Sequence, residues 1–222
     1  CLDALPQPLA TGSWSEHARM PTPFQSEHDL AVLEGNFHVL GGFGDPRGFK
    51  RYDPVADRWS VLPPLPAGRD HLSAFALEGS VFMAGGAANG GGDQSHAAFR
   101  WDPASGTWTP LPELEWSFGS RAAVLHGTAF IGSADGSLQH YDPRHRRVRH
   151  IDGAGPARDH AQVLAFLEEV WVIGGRIPDT ASVSIYDPSS GRWRKGPSMG
   201  SPRGGFAAAV VGERIVVGGG EV

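Results

Sequence analysis

Apolar residues come along this chain in short runs, and most runs end at a glycine or at another residue that is common in turns. The runs occur in pairs with a tight turn between them, and the second run of a pair is the more apolar. A short apolar run bounded by glycine is typical of a β-strand that is buried on both faces. The pattern therefore predicts hairpins, whose first strands lie at 30–33, 72–77, 122–125, 161–167 and 206–211, and whose second strands lie at 37–40, 81–84, 170–173 and 215–217.

An aromatic residue followed by Asp and Pro recurs along the chain, at 52–54, 101–103, 141–143 and 186–188. Seven residues after each aromatic comes Trp59, Trp108, Val148 or Trp193. Paired glycines close the second strand of each complete copy except the third, which has Ser133 and Ala134 there. A strand-rich repeat of about 45 residues is typical of a propeller blade.

Each copy contains two further strands after the hairpin. The third strand ends at the Asp-Pro turn, and the fourth carries the Trp and leaves through a Pro-rich segment such as 62–66. The predicted blades span about 27–66, 67–115, 116–154, 155–199, and 200–222 together with 1–26.

The fifth blade is predicted to combine the two ends of the chain, because residues 10–14 match residues 104–108 in pattern. Joining the first and last segments in one sheet would remove the open sheet edges of the ring. The alternative is that the chain is a piece of a propeller with six or seven blades.

The double glycine, the Tyr-Asp-Pro turn, the Trp seven residues later and an Arg or His before the next first strand resemble the kelch repeat. The resemblance covers essentially the whole chain. It implies an all-β fold, a kelch-type β-propeller of four-stranded blades in one domain. The third copy departs most from the family pattern.

Composition and charge narrow the function classes. The chain has 222 residues, 31 Gly and 18 Pro, and its formal net charge is −5. An acidic chain is a poor candidate for general nucleic-acid binding. No apolar run approaches the roughly 18 residues that a membrane-spanning helix needs.

Cys1 is the one cysteine of the sequence, so an intramolecular disulfide and a multi-cysteine zinc site are both excluded. A terminal Cys is the lipidated residue of mature bacterial lipoproteins. We therefore expect an exported protein, periplasmic or at the cell surface, that contacts a membrane only if Cys1 is lipidated. A chance Cys in a cytoplasmic protein is the alternative.

Residues at the start of each first strand are expected near the central channel, where the loops between blades gather. They combine cationic, acidic and imidazole groups, which suit binding of carboxylates and proton transfer. These candidate ligand-binding residues are Glu27, His28, Arg69, Asp70, His71, Arg121, Arg158, Asp159, His160 and Arg203. The alternative is that they pair with one another and cap the strands. Kelch adaptors of ubiquitin ligases grip acidic peptides with an Arg here, and by resemblance Arg69 and Arg158 match that position best.

Two other segments are interpreted as structural. The long loop 87–98 lacks a phosphate-loop pattern and is predicted to be a flexible surface loop, with a lid over the channel mouth as the alternative. The basic stretch 144–150 is predicted to form a solvated turn and outer strand on the opposite face, with a patch for an acidic partner as the alternative.

The function expected is a binding scaffold without cofactor or metal, which takes a protein, peptide or glycan at the channel mouth and acts as a monomer. The alternative is a mutarotase or epimerase for an acidic sugar such as sialic acid, by resemblance to secreted bacterial kelch enzymes. In that case His71, His160, Asp70 or Asp159 would move protons. A copper site like that of galactose oxidase is rejected, because the three Tyr residues all occupy the Asp-Pro turns and Cys1 is terminal.

Overall fold

The computed structural model describes residues 13, 15–22, 24–88, 93–114, 119, 121–153, 155 and 157–221. Within these residues the regular structure is all β, and no helix is long and apolar enough to cross a membrane. The strands form four antiparallel sheets of four strands each and two smaller sheets of two strands. The predicted all-β class and the four-stranded blades are confirmed.

The first two blades follow one another in chain order. Their strands, with a two-stranded ribbon inserted in the second blade, are β1 (Asp29–Leu33), β2 (Asn36–Leu40), β3 (Phe49–Asp53), β4 (Arg58–Val61), β5 (Ser73–Leu77), β6 (Ser80–Ala84), β7 (Ala87–Ala88), β8 (Asp93–Gln94), β9 (Ala98–Asp102) and β10 (Thr107–Pro110).

The third and fourth blades repeat this plan, and one hairpin follows them. Their strands are β11 (Ala122–Leu125), β12 (Thr128–Gly132), β13 (Leu138–Asp142), β14 (Arg147–Ile151), β15 (Gln162–Phe166), β16 (Glu169–Ile173), β17 (Val183–Asp187), β18 (Arg192–Lys195), β19 (Ala207–Val211) and β20 (Arg214–Gly218).

The strands of every predicted hairpin begin and end within one residue of the expected positions. The four complete sheets lie inside the four predicted spans. The fifth unit is described only as β19 paired with β20. Residues 1–12 and Trp14, which were expected to complete that blade, lie outside the described residues, so ring closure stays a prediction. Cys1 lies outside them too, and the expected lipidation and export also stay predictions.

The loop 87–98 differs from the expectation. Ala87 is fully buried, and β7 pairs with β8 to form a short ribbon around residues 89–92, which lie outside the described part. The residues on either side of 89–92 are therefore paired strands and not an open loop.

The hydrophobic core lies between successive blades. Between the first and second blades Leu40, Phe49, Leu72 and Met83 are fully buried together. The innermost strands β1, β5, β11, β15 and β19 pack side by side in that order. The start of each of these strands is therefore held close to the central channel.

The indole N–H groups of repeated Trp residues form hydrogen bonds that connect the outer strand of a blade to an earlier segment of the chain. Trp59 donates its indole N–H to the carbonyl of Ala18 at 2.8 Å, and Trp193 donates to the carbonyl of Asp152 at 2.8 Å. Their rings also pack on the aromatic of the Asp-Pro turn, with 5.0 Å between the ring centroids of Tyr52 and Trp59. Val148 has no N–H in its side chain, so it cannot form the equivalent hydrogen bond in the third blade.

Asp29 links the first two blades through its buried carboxylate. Its Oδ2 accepts the backbone N–H of Ala74 at 2.7 Å, and its Oδ1 accepts that of Leu30 at 2.7 Å. We expect Asp29→Ala to lower the free energy of unfolding by about 1–3 kcal/mol, because the buried N–H of Ala74 loses its partner. Urea denaturation measures this change. Asp179→Ala is the matched control, because that side chain is exposed, and it should leave stability within about 0.5 kcal/mol.

Candidate functional site

A chain of backbone hydrogen bonds runs around the mouth of the central channel. It joins the five equivalent residues that open the successive blades, which are Glu27, His71, Gly119, His160 and Gly205. All five have a left-handed backbone, with φ between 51° and 67°. From His71 onward, the N–H of each donates to the carbonyl of its counterpart one blade earlier, for example at 3.0 Å from His71 to Glu27 and at 3.2 Å from Gly205 to His160. Equivalent side chains are thereby brought to one place.

The paired glycines of the repeat make this arrangement possible. Gly86 has φ +81°, and a Cβ there would lie 2.6 Å from the carbonyl oxygen of Asp70. Gly175 has φ +115°, and a Cβ there would lie 2.8 Å from Cβ of Arg158. The glycines therefore let the end of one second strand lie directly against the start of a blade. The residue after each pair then bridges to that start, as Ala87 does to Asp70.

Three side chains of this ring meet at the channel mouth. Glu27 Oε2 lies 3.2 Å from Nε2 of His160 and 3.6 Å from Nε2 of His71. The two imidazole rings stand edge to face with centroids 5.0 Å apart, and both are buried. The pKa of Glu27 is lowered to about 2, chiefly by hydrogen bonding to His160 and by nearby positive charge, against the opposing effect of burial. Glu27 is therefore an anion at neutral pH.

Two carboxylates stand behind these imidazoles. Asp70 is buried, and its Oδ1 lies 2.6 Å from Nδ1 of His71 in a hydrogen bond. Asp159 Oδ2 lies 3.1 Å from Nδ1 of His160, without the alignment of a hydrogen bond. Each Nδ1 thus faces a carboxylate, and each Nε2 faces Glu27.

A cavity of about 270 Å³ occupies the mouth, lined by Glu27, His28, His71, Arg121 and His160 among others. His28 and Arg121 also line a second cavity of about 380 Å³ between the innermost strands. Burial and the charge of Arg121 lower the pKa of His28, so this imidazole stays neutral more readily. Nδ1 of His28 is buried, and it has no hydrogen-bond partner within the described residues.

The structure divides the ten predicted site residues into three groups. Five line the mouth cavity, and Asp70 and Asp159 support its two buried imidazoles. The guanidinium groups of Arg69, Arg158 and Arg203 instead donate to nearby carbonyls and hydroxyls. Their acceptors are Gly68 and Ser95 for Arg69, Gly174, Ser182 and Ser184 for Arg158, and Ser201 and Gly219 for Arg203.

Arg176 is a site residue that sequence reasoning missed. Its Nη2 lies 2.9 Å from Nε2 of His160, its Nε lies 3.3 Å from Oδ1 of Asp159, and it also pairs with Glu221. Because Arg176 directly follows the glycine pair of the fourth blade, the register of the repeat carries a signal for it. Residues after these pairs bridge to the start of a blade, so this position lies beside the mouth.

Comparison with known proteins agrees with the repeat and the topology. Residues 157–200 match the family described as Kelch motif. Kelch-like protein terF of Aspergillus terreus is 26% identical over an alignment of 234 residues, which covers 96% of this chain and 42% of that protein. Kelch-like protein 35 of Mus musculus is 26% identical over 182 residues, covering 78% of this chain and 31% of that protein. The chain thus spans less than half the length of these relatives.

The solved structure of YjhT superposes with a TM-score of 0.77 and 17% identity, over 90% of this chain and 74% of that one. At that identity the likeness concerns the fold. The direct match of one repeat, together with the same strand order and signature residues in the other sheets, supports a kelch-repeat β-propeller family for this chain.

The left-handed backbone of Gly205 leads to a prediction about stability. Its φ is +61°, which costs an alanine about 1–2 kcal/mol. We therefore expect Gly205→Ala to lower the free energy of unfolding by about 1 kcal/mol in urea denaturation. Gly200→Ala is the matched control, since Gly200 is exposed, has no left-handed φ, and has space around it. Equal stability of the two variants would contradict the strain argument.

Proposed function

We propose that this protein is a kelch binding scaffold and that the mouth of its channel receives a polar or acidic group of a protein, peptide or glycan. The observation that carries the proposal is the combination of a polar cavity with exposed apolar side chains around it. Phe24, Phe43 and Ile177 are 85%, 41% and 75% exposed. Large exposed apolar side chains that lie together mark interaction surfaces.

These apolar residues belong to the segments that surround the mouth. The ring of Phe43 stands edge to face on His71, with centroids 5.6 Å apart. Ile177 directly follows Arg176, and the backbone of Phe24 lies against Gly44. A partner that covers this face would bury apolar surface at the rim and present one group to the centre.

Arg121 is the candidate cationic contact for that group. Its guanidinium lines both channel cavities, is about one-third exposed, and lies 3.4 Å from Oδ1 of Asp29. Burial raises the pKa of Asp29, and the charge of Arg121 acts in the opposite direction. Nδ1 of His28, which has no partner within the described residues, lies in the same cavity lining. The cavity of about 270 Å³ suits a side chain or a single sugar ring.

A thermal-shift panel with acidic sugars, neutral sugars and acidic peptides tests the proposal. A ligand at 100 times its Kd adds about 2.7 kcal/mol, so Tm should rise by about 5–10 °C. We expect an acidic probe to give this shift and Arg121→Ala to abolish it. Arg149→Ala, on the exposed outer strand β14, should leave it unchanged. No shift with any probe, or a shift that survives Arg121→Ala, would contradict the proposal.

A second candidate function, the mutarotase, is favoured by one observation. Glu27 lies within reach of two imidazoles, and a carboxylate with an imidazole can supply a base and an acid at an anomeric carbon. We expect His160→Gln and His71→Gln each to slow the exchange of sialic acid anomers by about 100-fold or more, as followed by proton NMR. Exchange at the unchanged rate in both variants would exclude this function, and Arg149→Ala again serves as the control.

A further inference from the structure

Glu27, His71 and His160 bring three potential metal-ligand atoms to within 4.8 Å of one another. We propose that these residues bind a divalent transition-metal ion, with Zn²⁺ as the ion of reference. This site is not predicted by the sequence, because the three residues open different blades and form no local metal-binding motif.

Two of the separations between ligand atoms fit a tetrahedral ion. Zn–N and Zn–O distances of about 2.0–2.2 Å place two ligands of a tetrahedron roughly 3.3–3.6 Å apart. Glu27 Oε2 lies 3.2 Å from Nε2 of His160 and 3.6 Å from Nε2 of His71. Two of the three separations are therefore close to those of a tetrahedral site, and all three ligand atoms lie within 4.8 Å of one another.

The hydrogen bonds indicate that one ligand nitrogen already carries a lone pair. Arg176 donates to Nε2 of His160, so this nitrogen acts as an acceptor. Oε2 of Glu27 lies 3.2 Å from the same nitrogen, so the guanidinium of Arg176 and the carboxylate of Glu27 compete for it. The tautomer in which Nε2 carries the lone pair is the one that a metal ion requires. A metal ion between this nitrogen and Oε2 of Glu27 would replace Nη2 of Arg176, whose other contacts to Asp159 and Glu221 remain available.

The support of the imidazoles is of the kind found behind metal ligands. A metal-bound His commonly donates its second ring N–H to a carboxylate, which fixes the tautomer and the ring direction. Nδ1 of His71 forms such a bond, with Oδ1 of Asp70 as the acceptor at 2.6 Å, and Asp159 stands beside Nδ1 of His160. The backbone hydrogen bonds between the blade starts hold the backbone of all three ligand residues in place independently of an ion.

Three protein ligands leave one tetrahedral position for water or for an outside group. That position adjoins the mouth cavity, because all three ligand residues line it. Two imidazoles and one carboxylate favour Zn²⁺ and its first-row neighbours over Mg²⁺ and Ca²⁺, which prefer oxygen ligands. The proposed ligand is therefore a divalent cation of intermediate softness, such as Zn²⁺. Its fourth coordination position would be open to an oxyanion.

The test is isothermal titration of the chelator-treated 222-residue chain with ZnCl₂, repeated with MgCl₂. We expect one Zn²⁺ per chain and no Mg²⁺. Glu27→Gln and His160→Gln should each weaken Zn²⁺ binding by about tenfold or more, and Asp70→Asn should weaken it about 10- to 100-fold. Arg176→Ala should strengthen it, because the competing cation is removed.

His145→Gln is the control, since this imidazole is exposed on the three-to-four turn of the third blade and pairs with Asp142. It should bind Zn²⁺ as the unaltered chain does. Thermal melting of each variant verifies that it folds. Absence of Zn²⁺ binding to the unaltered chain, or binding that survives both Glu27→Gln and His160→Gln, would overturn the proposal. No partner ligand is used, so this result is separate from that of the thermal-shift panel.

Discussion

The backbone hydrogen bonds between the starts of successive blades are the constraint on which the candidate site depends. Each bond requires a left-handed residue whose N–H reaches the carbonyl one blade earlier. This geometry places residues from distant parts of the chain on one narrow mouth, where side chains such as Glu27, His71 and His160 meet. Burial between blades holds the sheets together, but these backbone bonds determine which side chains meet.

Much of the fold could be predicted from the sequence because its signals are local and repeated. Glycine pairs, Asp-Pro turns and apolar runs each restrict a few neighbouring residues, and the copies of the pattern support one another. The short ribbon of Ala87–Ala88 with Asp93–Gln94 was missed because a glycine-rich loop resembles an open loop. Ala87 also forms a backbone bridge with Asp70 at the start of the blade, a contact that the local pattern does not reveal.

The sequence predicts which segments lie near the mouth of the channel, but not which of their side chains face it. The sequence places Arg69, Arg158 and Arg203 as near the channel as His71, because all lie at the starts of blades. It does not show side-chain direction, and the long Arg side chains reach polar groups away from the mouth. Arg176 was missed for the opposite reason, since it follows a second strand and reaches His160 from outside the segment that opens the blade.

Two of the five residues that open the blades are glycines, Gly119 and Gly205, and this affects what the mouth presents to a ligand. The blades repeat nearly the same backbone. If the same side chain stood at every blade start, a ligand could bind in several equivalent orientations. Gly119 and Gly205 contribute no side chain, whereas Glu27, His71 and His160 do, and this breaks the rotational pseudosymmetry. The groups that face the channel therefore differ from one blade start to the next, so the mouth has a direction of its own although its backbone repeats.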